Sequence, residues 1–468
     1  MSRSLPTPPT CTYPTNPLPS ISAPPSFNPV SEFTGKTGEI LDRINALYPK
    51  LIDLSLGRIT NLLSRLGHPE NKLPPVIHVA GTNGKGSTCA TLRAIGEAAG
   101  WRVHVMTSPH LISVTERFRI AGQLVSETDL ITVLEEIERI NAGAPITVFE
   151  VLTAAGFLLF ANTPADLAII EVGLGGRYDA TNVLQHPAAC AITSISHDHE
   201  AFLGNTLEAI TTEKAGIFKP HAPAVTGFQS ENVMAVLREI ALKTKTPLFC
   251  RGRDWTLTPS SNNDMAFTDS IGTLTLPFPA LLGPWQVDNT GLAVATMRQM
   301  AKTTGLQIPP TAWQGISHVS WPARMQRLTG TLAHKLPPQW ELWLDGGHNP
   351  GAGIVLTQLL ASWNERPIHL IVGMKQSKNA SKFLEPLIPY ATSLWAIREP
   401  DQYLALPVSE IVQASNGKAQ IGPTLTQALE KIIKEHANTE NDNTSARVLI
   451  CGSLYLAGIA LKKDNPPA

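Results

Sequence analysis

The chain has 468 residues, 43% of them hydrophobic, and a formal net charge of −1. That is material for two to three globular cores, with no bulk electrostatic drive toward nucleic acid or an anionic membrane. The five cysteines (Cys11, Cys89, Cys190, Cys250, Cys451) are far apart and form no Cys-x-x-Cys pair; neither a zinc site nor a disulfide framework is signalled, and a reducing cytoplasm fits. No apolar run approaches the roughly 18 residues of a membrane span.

Residues 1 to about 31 are rich in Pro, Ser and Thr, with Arg3 as their only charge. They lack the apolar core of a secretory signal and are expected to form an extended, disordered arm, assigned to 1–35. The segment 39–66 reads as helical, broken near Pro49 and Gly57, with Arg58 and Asn61 on the face toward the next loop. Residues 76–80 are apolar throughout, as in a parallel strand covered on both faces. Then come Gly81-Thr82-Asn83-Gly84-Lys85-Gly86-Ser87-Thr88 and a Pro-free segment, 89–99, rich in helix formers. A strand, a glycine-rich turn and a helix start together make an anion site for phosphate, to which Lys85 adds a charge and Ser87 or Thr88 a hydroxyl. The generic phosphate loop has Ser or Thr directly after Gly-Lys; here Gly86 intervenes.

Further on, 102–107 alternates like a strand and ends in Ser108-Pro109-His110-Leu111, and 115–125 reads as two short strands. A helix is expected over 128–141, with Asp129 and Glu135 outward. A strongly apolar helix follows over 147–161, with Glu150 near its start. The buried strand 166–172 ends in Glu171 and runs into Gly173-Leu174-Gly175-Gly176-Arg177-Tyr178-Asp179-Ala180-Thr181-Asn182. A third strand, 188–195, ends in Ser196-His197-Asp198-His199-Glu200. The helix 206–217 carries Glu213-Lys214. The stretch 238–276 looks irregular, and 285–304 is a helix with Asn289 in its first turns. Trp321-Pro322-Ala323-Arg324 breaks the pattern as a linker. A fresh alternation then places strands at 340–345, 369–372, 394–397 and 447–451, the first ending in Asp345-Gly346-Gly347-His348-Asn349-Pro350.

Apolar strands that end in polar loops and lead into helices indicate an α/β fold. The expected architecture is a parallel-sheet N-terminal domain containing the phosphate loop (36–322), followed by a smaller Rossmann-like C-terminal domain (323–468). Ligands of such sheets gather beyond the carboxyl ends of the strands, so Glu171 and His199 are expected near Lys85.

The loop Gly81–Ser87, with its extra glycine, resembles that of the Mur ligase superfamily. Ser108-Pro109-His110-Leu111, Thr115-Glu116-Arg117, Phe149-Glu150, the run from Glu171 to Arg177, Asp179-Ala180-Thr181-Asn182, Asp198-His199, Glu213-Lys214-Ala215-Gly216-Ile217 and His348-Asn349-Pro350 resemble its folylpolyglutamate synthase branch. The resemblance spans about 41–461; Gly347, where the family more often has Ala, is a departure. It implies a cytoplasmic, ATP-dependent amide ligase that adds L-glutamate to dihydropteroate and to reduced folates through an acyl phosphate. A ligase with only one of the two activities is the alternative, and a phosphate-loop ATPase switch a more distant one. The resemblance further implies ATP held by Thr82, Asn83, Gly84, Lys85, Gly86, Ser87, Asn289, Arg324 and Asp345. It implies two Mg²⁺ ions on Ser108, Glu171, His199 and Lys214, the last as a carbamate, and catalytic roles for Lys85, Lys214 and His348. The pterin side is implied at Thr147, Phe149, Glu150, Tyr178, Asp179 and Ala180. A monomer acting on small molecules, with no nucleic-acid or membrane partner, is expected. Taken alone, several of these residues have plainer explanations: Phe149 as core packing, Ser108 as a turn former, Lys214 as half of a solvated surface pair with Glu213, and Arg324 as a linker charge.

Overall fold

A computed structural model describes residues 33–49, 52–260, 264–437 and 445–465. The expected arm lies outside the described residues, apart from 33–35. The larger sheet contains β1 (Val76–Ala80), β2 (Val103–Met106), β3 (Phe118–Ile120), β4 (Gln123–Leu124), β5 (Leu167–Glu171), β6 (Ala189–Ile192), β7 (Ala224–Thr226) and β8 (Leu248–Cys250). Their order is β4-β3-β2-β5-β1-β6-β7-β8. All neighbours from β2 to β8 are parallel, while β3 and β4 form an antiparallel edge. The chain leaves β1 with β5 on one side and β6 on the other. That is a topological switch point, where such sheets open a crevice beyond the strand ends.

Strand residues alternate between two cores, as the period of two requires. Val76, Met106, Ala168 and Ile170 pack under the helices Gly35–Leu47, Gly57–Arg65, Glu127–Asn141 and Val148–Ala161. Ile77, Val79, Val103, Val105, Leu167 and Ile169 pack under Lys85–Ala98 and Pro284–Thr304. Burial on both faces explains the unbroken apolar runs of β1 and β5.

The stretch 238–276 is more ordered than its sequence suggests. Its first residues continue a helix, Glu231–Thr244. Later it forms an antiparallel sheet of β9 (Trp255–Pro259), β10 (Asp264–Asp269) and β11 (Gly272–Pro277). Trp255, Leu257, Met265 and Phe267 point into the core beside Leu292, so the alternation was present in the sequence. Asn61 is exposed, and Arg58 reaches Glu150 and not the phosphate loop, which corrects the expected direction of both.

The second sheet contains β12 (Gln326–Leu328), β13 (Glu341–Leu344), β14 (Ile368–Val372), β15 (Ser393–Ala396), β16 (Ala419–Ile421) and β17 (Arg447–Cys451). Their order is β12-β13-β17-β14-β15-β16. Only β12 runs antiparallel. The expected strands correspond to β13, β14, β15 and β17; β12 and β16 are three-residue edges with no usable period. Ala323 is already fully buried in the second lobe's core. Leu111 and Trp285 of the first lobe pack against that lobe's two clusters. Among the described residues no helix is long and apolar enough to cross a membrane.

Candidate active site

The phosphate loop leaves β1 at the switch point and turns through Gly84, whose φ is +89°. A Cβ there would lie 2.4 Å from Asn289 Oδ1, and one on Gly86 would lie 2.7 Å from Trp321 Nε1. The intervening glycine therefore makes room for the interlobe tryptophan. The Thr82 and Asn83 amides donate to the Ser194 carbonyl at 2.8 and 3.3 Å. The Thr82 hydroxyl bonds to both the N–H and the C=O of Ser196. These two residues fasten the loop to the end of β6. The first-turn amides of the helix beginning at Lys85 then remain for an anion, as at any helix start. Ser87 Oγ and Thr88 Oγ1 are buried, without a hydrogen-bond partner among the described residues. Lys85 Nζ donates to its own loop at Thr82 O, 3.4 Å away, and stands 3.8 Å from Glu171 Oε1.

Glu171 ends β5, buried; burial raises its carboxyl pKa, against the pull of Lys85. Its Oε2 accepts from the Ser108 amide at 3.4 Å, so Glu171 and Lys85 meet as expected from the strand ends, with Ser108 beside them. Lys214 is no surface residue. It is 5% exposed, and its Nζ donates to Gly81 O at 2.9 Å. Burial, then the nearby Lys85 charge, brings its pKa down to about 7. His199 lines the same cavity as the loop, Glu171 and Lys214. Burial and Lys378 lower its pKa to about 4, leaving a neutral ring.

The second lobe closes this cavity with Arg324, Asp345 and His348. Asp345 is buried and accepts from the amides of Met325 and Gly347 at 2.9 and 2.7 Å. Burial raises its pKa against the field of Arg324. Gly347 accommodates this: a Cβ there would sit 2.9 Å from Asp345 Oδ1. His348 Nδ1 lies 2.8 Å from the Gly346 carbonyl. A carbonyl only accepts, so Nδ1 carries the hydrogen and Nε2 the lone pair. Burial, then Lys378, lowers this ring's pKa to about 3.

Three residues outside the expected set organise the junction. Asp198 Oδ1 accepts from Lys378 Nζ at 2.6 Å and Oδ2 from Asn349 Nδ2 at 3.0 Å. Asn349 and Asn83 exchange two amide hydrogen bonds of 2.9 and 3.0 Å. Burial opposes the Asp198 charge, but Lys378, His199 and His348 outweigh it and hold the carboxyl far below its usual range. Asp198 and Asn349 stood inside recognisable motifs. Lys378 sits in a loop whose sequence carries no comparable signal.

A second cavity, of about 480 Å³, adjoins the first, of about 310 Å³. Phe149, Glu150, Tyr178, Asp179 and Ala180 line it, together with Thr147. Gly173 gives space to the Phe149 ring, which a Cβ would meet at 2.3 Å. Tyr178 is 40% exposed, with Arg177 over its ring at 5.0 Å. Glu150 forms a capping box with Thr147 and receives Arg58 Nε at 3.0 Å, all on Oε2; Oε1 is buried without a partner among the described residues. Asp179 accepts from the amides of Leu174 and Thr181 and from the Thr181 hydroxyl, so it fixes the pocket wall. The two cavities share Ser108, Pro109, Gly173, Leu174, His199, His348 and Leu454.

Family models match this chain as the Mur ligase middle domain over residues 79–297 and as the dihydrofolate synthetase C-terminal domain over 331–463. A dihydrofolate synthetase of Saccharomyces cerevisiae is 30% identical over 436 residues, covering 88% of this chain and 98% of that one. A dihydrofolate synthase/folylpolyglutamate synthase of Escherichia coli is 32% identical over 425 residues, covering 89% and 92%. A solved bifunctional folylpolyglutamate synthase/dihydrofolate synthase with Mn, AMPPNP and L-glutamate bound superposes with a TM-score of 0.78, at 30% identity, over 92% of this chain and 98% of the other.

Proposed function

Because the chain belongs to the dihydrofolate synthase/folylpolyglutamate synthase family, we propose that it uses ATP to join L-glutamate to dihydropteroate, and to reduced folates through γ-glutamyl links. One observation carries this proposal. The larger cavity, lined by the Phe149 and Tyr178 rings and by Glu150 with its unpaired carboxylate oxygen, adjoins the cavity of the phosphate loop at Ser108, His199 and His348. A pterin suits this lining: its ring stacks on Phe149 or Tyr178, and its amino-pyrimidine N–H groups reach Glu150 Oε1. Its carboxylate then lies toward the nucleotide.

A carboxylate is a poor electrophile. One of its oxygens attacks the γ-phosphorus of ATP, the β,γ-bridging bond breaks, and ADP leaves an acyl phosphate. The glutamate nitrogen then attacks the acyl carbon, phosphate departs with the C–O electron pair, and the nitrogen loses a proton. The enzyme assists mainly by placement and charge neutralisation. Gly84, Gly86, Ser87 and the Lys85 side chain bind the phosphates; Thr82 and Asn83 hold the loop in place. Asn289, Arg324 and Asp345 seat the rest of the nucleotide. With its pKa near 3, His348 is a weak proton acceptor, so it serves here as a hydrogen-bond partner that positions substrate.

The donors present suit Mg²⁺: a hard carboxylate at Glu171, a neutral His199, a hydroxyl at Ser108 and orphan hydroxyls at Ser87 and Thr88. Among the described residues no three His, Cys, Asp or Glu gather, in keeping with an ion that takes much of its shell from phosphate and water. When bound, it offsets phosphate charge. Lys214, buried and with its pKa brought down to about 7, so that a substantial neutral fraction exists near pH 7, fits uptake of CO₂ as a carbamate, an added anion for a second Mg²⁺. Residues 36–322 supply the nucleotide and pterin walls and 323–468 the closing lobe. Both lobes come from one chain, which supports a monomer that acts on small molecules.

The test is ADP release by purified protein given ATP and glutamate, with dihydropteroate and tetrahydrofolate in turn. Glutamate-dependent release with both acceptors is expected. Release with neither acceptor overturns the ligase assignment, and release that does not depend on glutamate replaces it with an ATPase switch. Release with dihydropteroate alone makes the enzyme a dihydrofolate synthase, the second reading, which the name of the yeast relative favours.

A further inference from the structure

His78 occupies the middle of β1, on the face it shares with Val76, and is fully buried. Its strand neighbours are Ile170 and Cys190. An imidazole in such a place costs desolvation that an apolar side chain would not. Burial, then the Lys219 charge, lowers its pKa to about 3, so the ring is neutral. Its Nδ1 is buried without a partner among the described residues, so the ring is not there to fill its own hydrogen bonds. Nε2 lies 2.8 Å from Thr181 Oγ1. That hydroxyl in turn donates to Asp179 Oδ1 at 2.5 Å, which uses its only hydrogen. Its oxygen is therefore the acceptor toward the ring, and His78 carries its proton on Nε2. Thr181 and Asp179 are both buried, so solvent does not compete for these bonds. Asp179 Oδ2 accepts from the Leu174 amide at 2.8 Å, and Gly173, next to Leu174, abuts the Phe149 ring.

We propose that His78 is a positioning residue for the acid substrate: through Thr181 it fixes Asp179, which holds the stretch Gly173-Leu174 against which Phe149 is seated. The inference rests on the pterin assignment above. Phe149, Gly173, Leu174, Asp179 and Ala180 all line the larger cavity, whereas His78 acts on it from within the core. Without the Nε2 hydrogen the Thr181 oxygen keeps a buried lone pair unfilled, and the turn Ala180–Val183 shifts to find another donor. Asp179 moves first, since its Oδ1 is held by both the amide and the hydroxyl of Thr181. The displacement reaches the surface on which the ring rests. The phosphate loop is fastened separately, to Ser194 and Ser196, and stays in place.

The experiment is steady-state ADP release by the full chain with glutamate, varying dihydropteroate and ATP in turn. His78→Met removes the donor at similar length and is expected to raise the KM for dihydropteroate about tenfold, the size of effect when a buried acceptor loses its donor. The KM for ATP and the kcat stay near wild type, because the wall bears on substrate binding and not on phosphoryl transfer. His78→Gln, whose amide nitrogen is as many bonds from Cα as Nε2, keeps the wild-type KM. Thr181→Val raises the KM for dihydropteroate as His78→Met does, and the double variant raises it no further, since both break one chain of bonds. An unchanged KM for dihydropteroate in His78→Met, an equal rise for ATP, or a Gln variant as impaired as the Met variant overturns the proposal while the ligase assignment stands. Should His78→Met not fold, Thr181→Val decides: a wild-type KM there overturns the proposal, and a selective rise for dihydropteroate upholds it. Wild-type protein that releases no ADP with dihydropteroate and glutamate overturns the pterin assignment and this inference together.

Discussion

At the scale of single residues, Lys214 departs furthest from its surroundings in sequence. Beside Glu213 it looks like half of a surface pair, yet it is buried and titrates near pH 7. The direction of its pH effect follows by linkage. Between about pH 7 and its unfolded value of roughly 10.4, the unfolded chain binds a proton that the folded chain does not. Its unfavourable effect on stability is full below pH 7 and is relieved as pH rises through that window. Lys214→Met should therefore be more stable relative to wild type at pH 6.5 than at pH 9, as read from melting temperatures of the ligand-free proteins. If the carbamate forms, the same variant has little ligase activity, and added bicarbonate raises wild-type activity but not the variant's. Lys85 raises a different expectation. Its charge-assisted contacts to phosphate are worth about 1.5–3 kcal/mol, so Lys85→Ala should lower kcat by roughly 10- to 100-fold in the ADP-release assay. A smaller loss would mean the first-turn amides suffice.

Elements decide how these residues meet. The strand ends of β1, β5 and β6 were legible because burial on both faces demands unbroken apolar runs, and the break into polar residues marks the loop. Proximity of Glu171 to Lys85 followed from that logic alone. What could not be read was the local use of each group. Thr82 and Asn83 sit in a phosphate-loop motif but fasten the loop to Ser194 and Ser196. Asp179 sits in a substrate motif but caps the turn Ala180–Val183. Such roles depend on which backbone groups tertiary packing leaves unpaired, and that has no signature in spacing. The same limit applies to β12 and β16, whose three residues carry no period, whereas β9 to β11 had a readable alternation. The turn at Gly84 offers a test at this scale. Alanine there meets a left-handed penalty of about 1–2 kcal/mol and drives its Cβ into Asn289. Gly84→Ala should lower the melting temperature by a few degrees and weaken ADP binding, whereas Gly100→Ala, also at positive φ but with open space around it, should do only the former.

On the scale of the whole molecule, the site exists only where two lobes meet, and the contact is polar at its centre. Asp198 follows β6 in the first lobe, Lys378 and Asn349 belong to the second, and the Asn83–Asn349 pair ties the second lobe to the phosphate loop itself. The side chains of Asp198 and Lys378 are 10% and 8% exposed. Removing one partner of such a pair strands a buried charge, which typically costs about 3–5 kcal/mol, while replacing both costs far less. Lys378→Met should therefore destabilise the ligand-free protein by about 3 kcal/mol, and Asp198→Asn with Lys378→Met should recover much of that loss. The carboxyl of Asp198 is held below its usual range, so its contribution is complete above about pH 4 and is lost as pH falls further; the double variant should lack that acid-side loss. If the pair also fixes the angle between lobes, small-angle scattering of Lys378→Met shows a larger radius of gyration that contracts when ADP is added. A single variant no less stable than the double one would mean the lobes are held by their apolar contacts at Leu111 and Trp285, with the buried pair serving only to orient His199 and His348 toward the substrate.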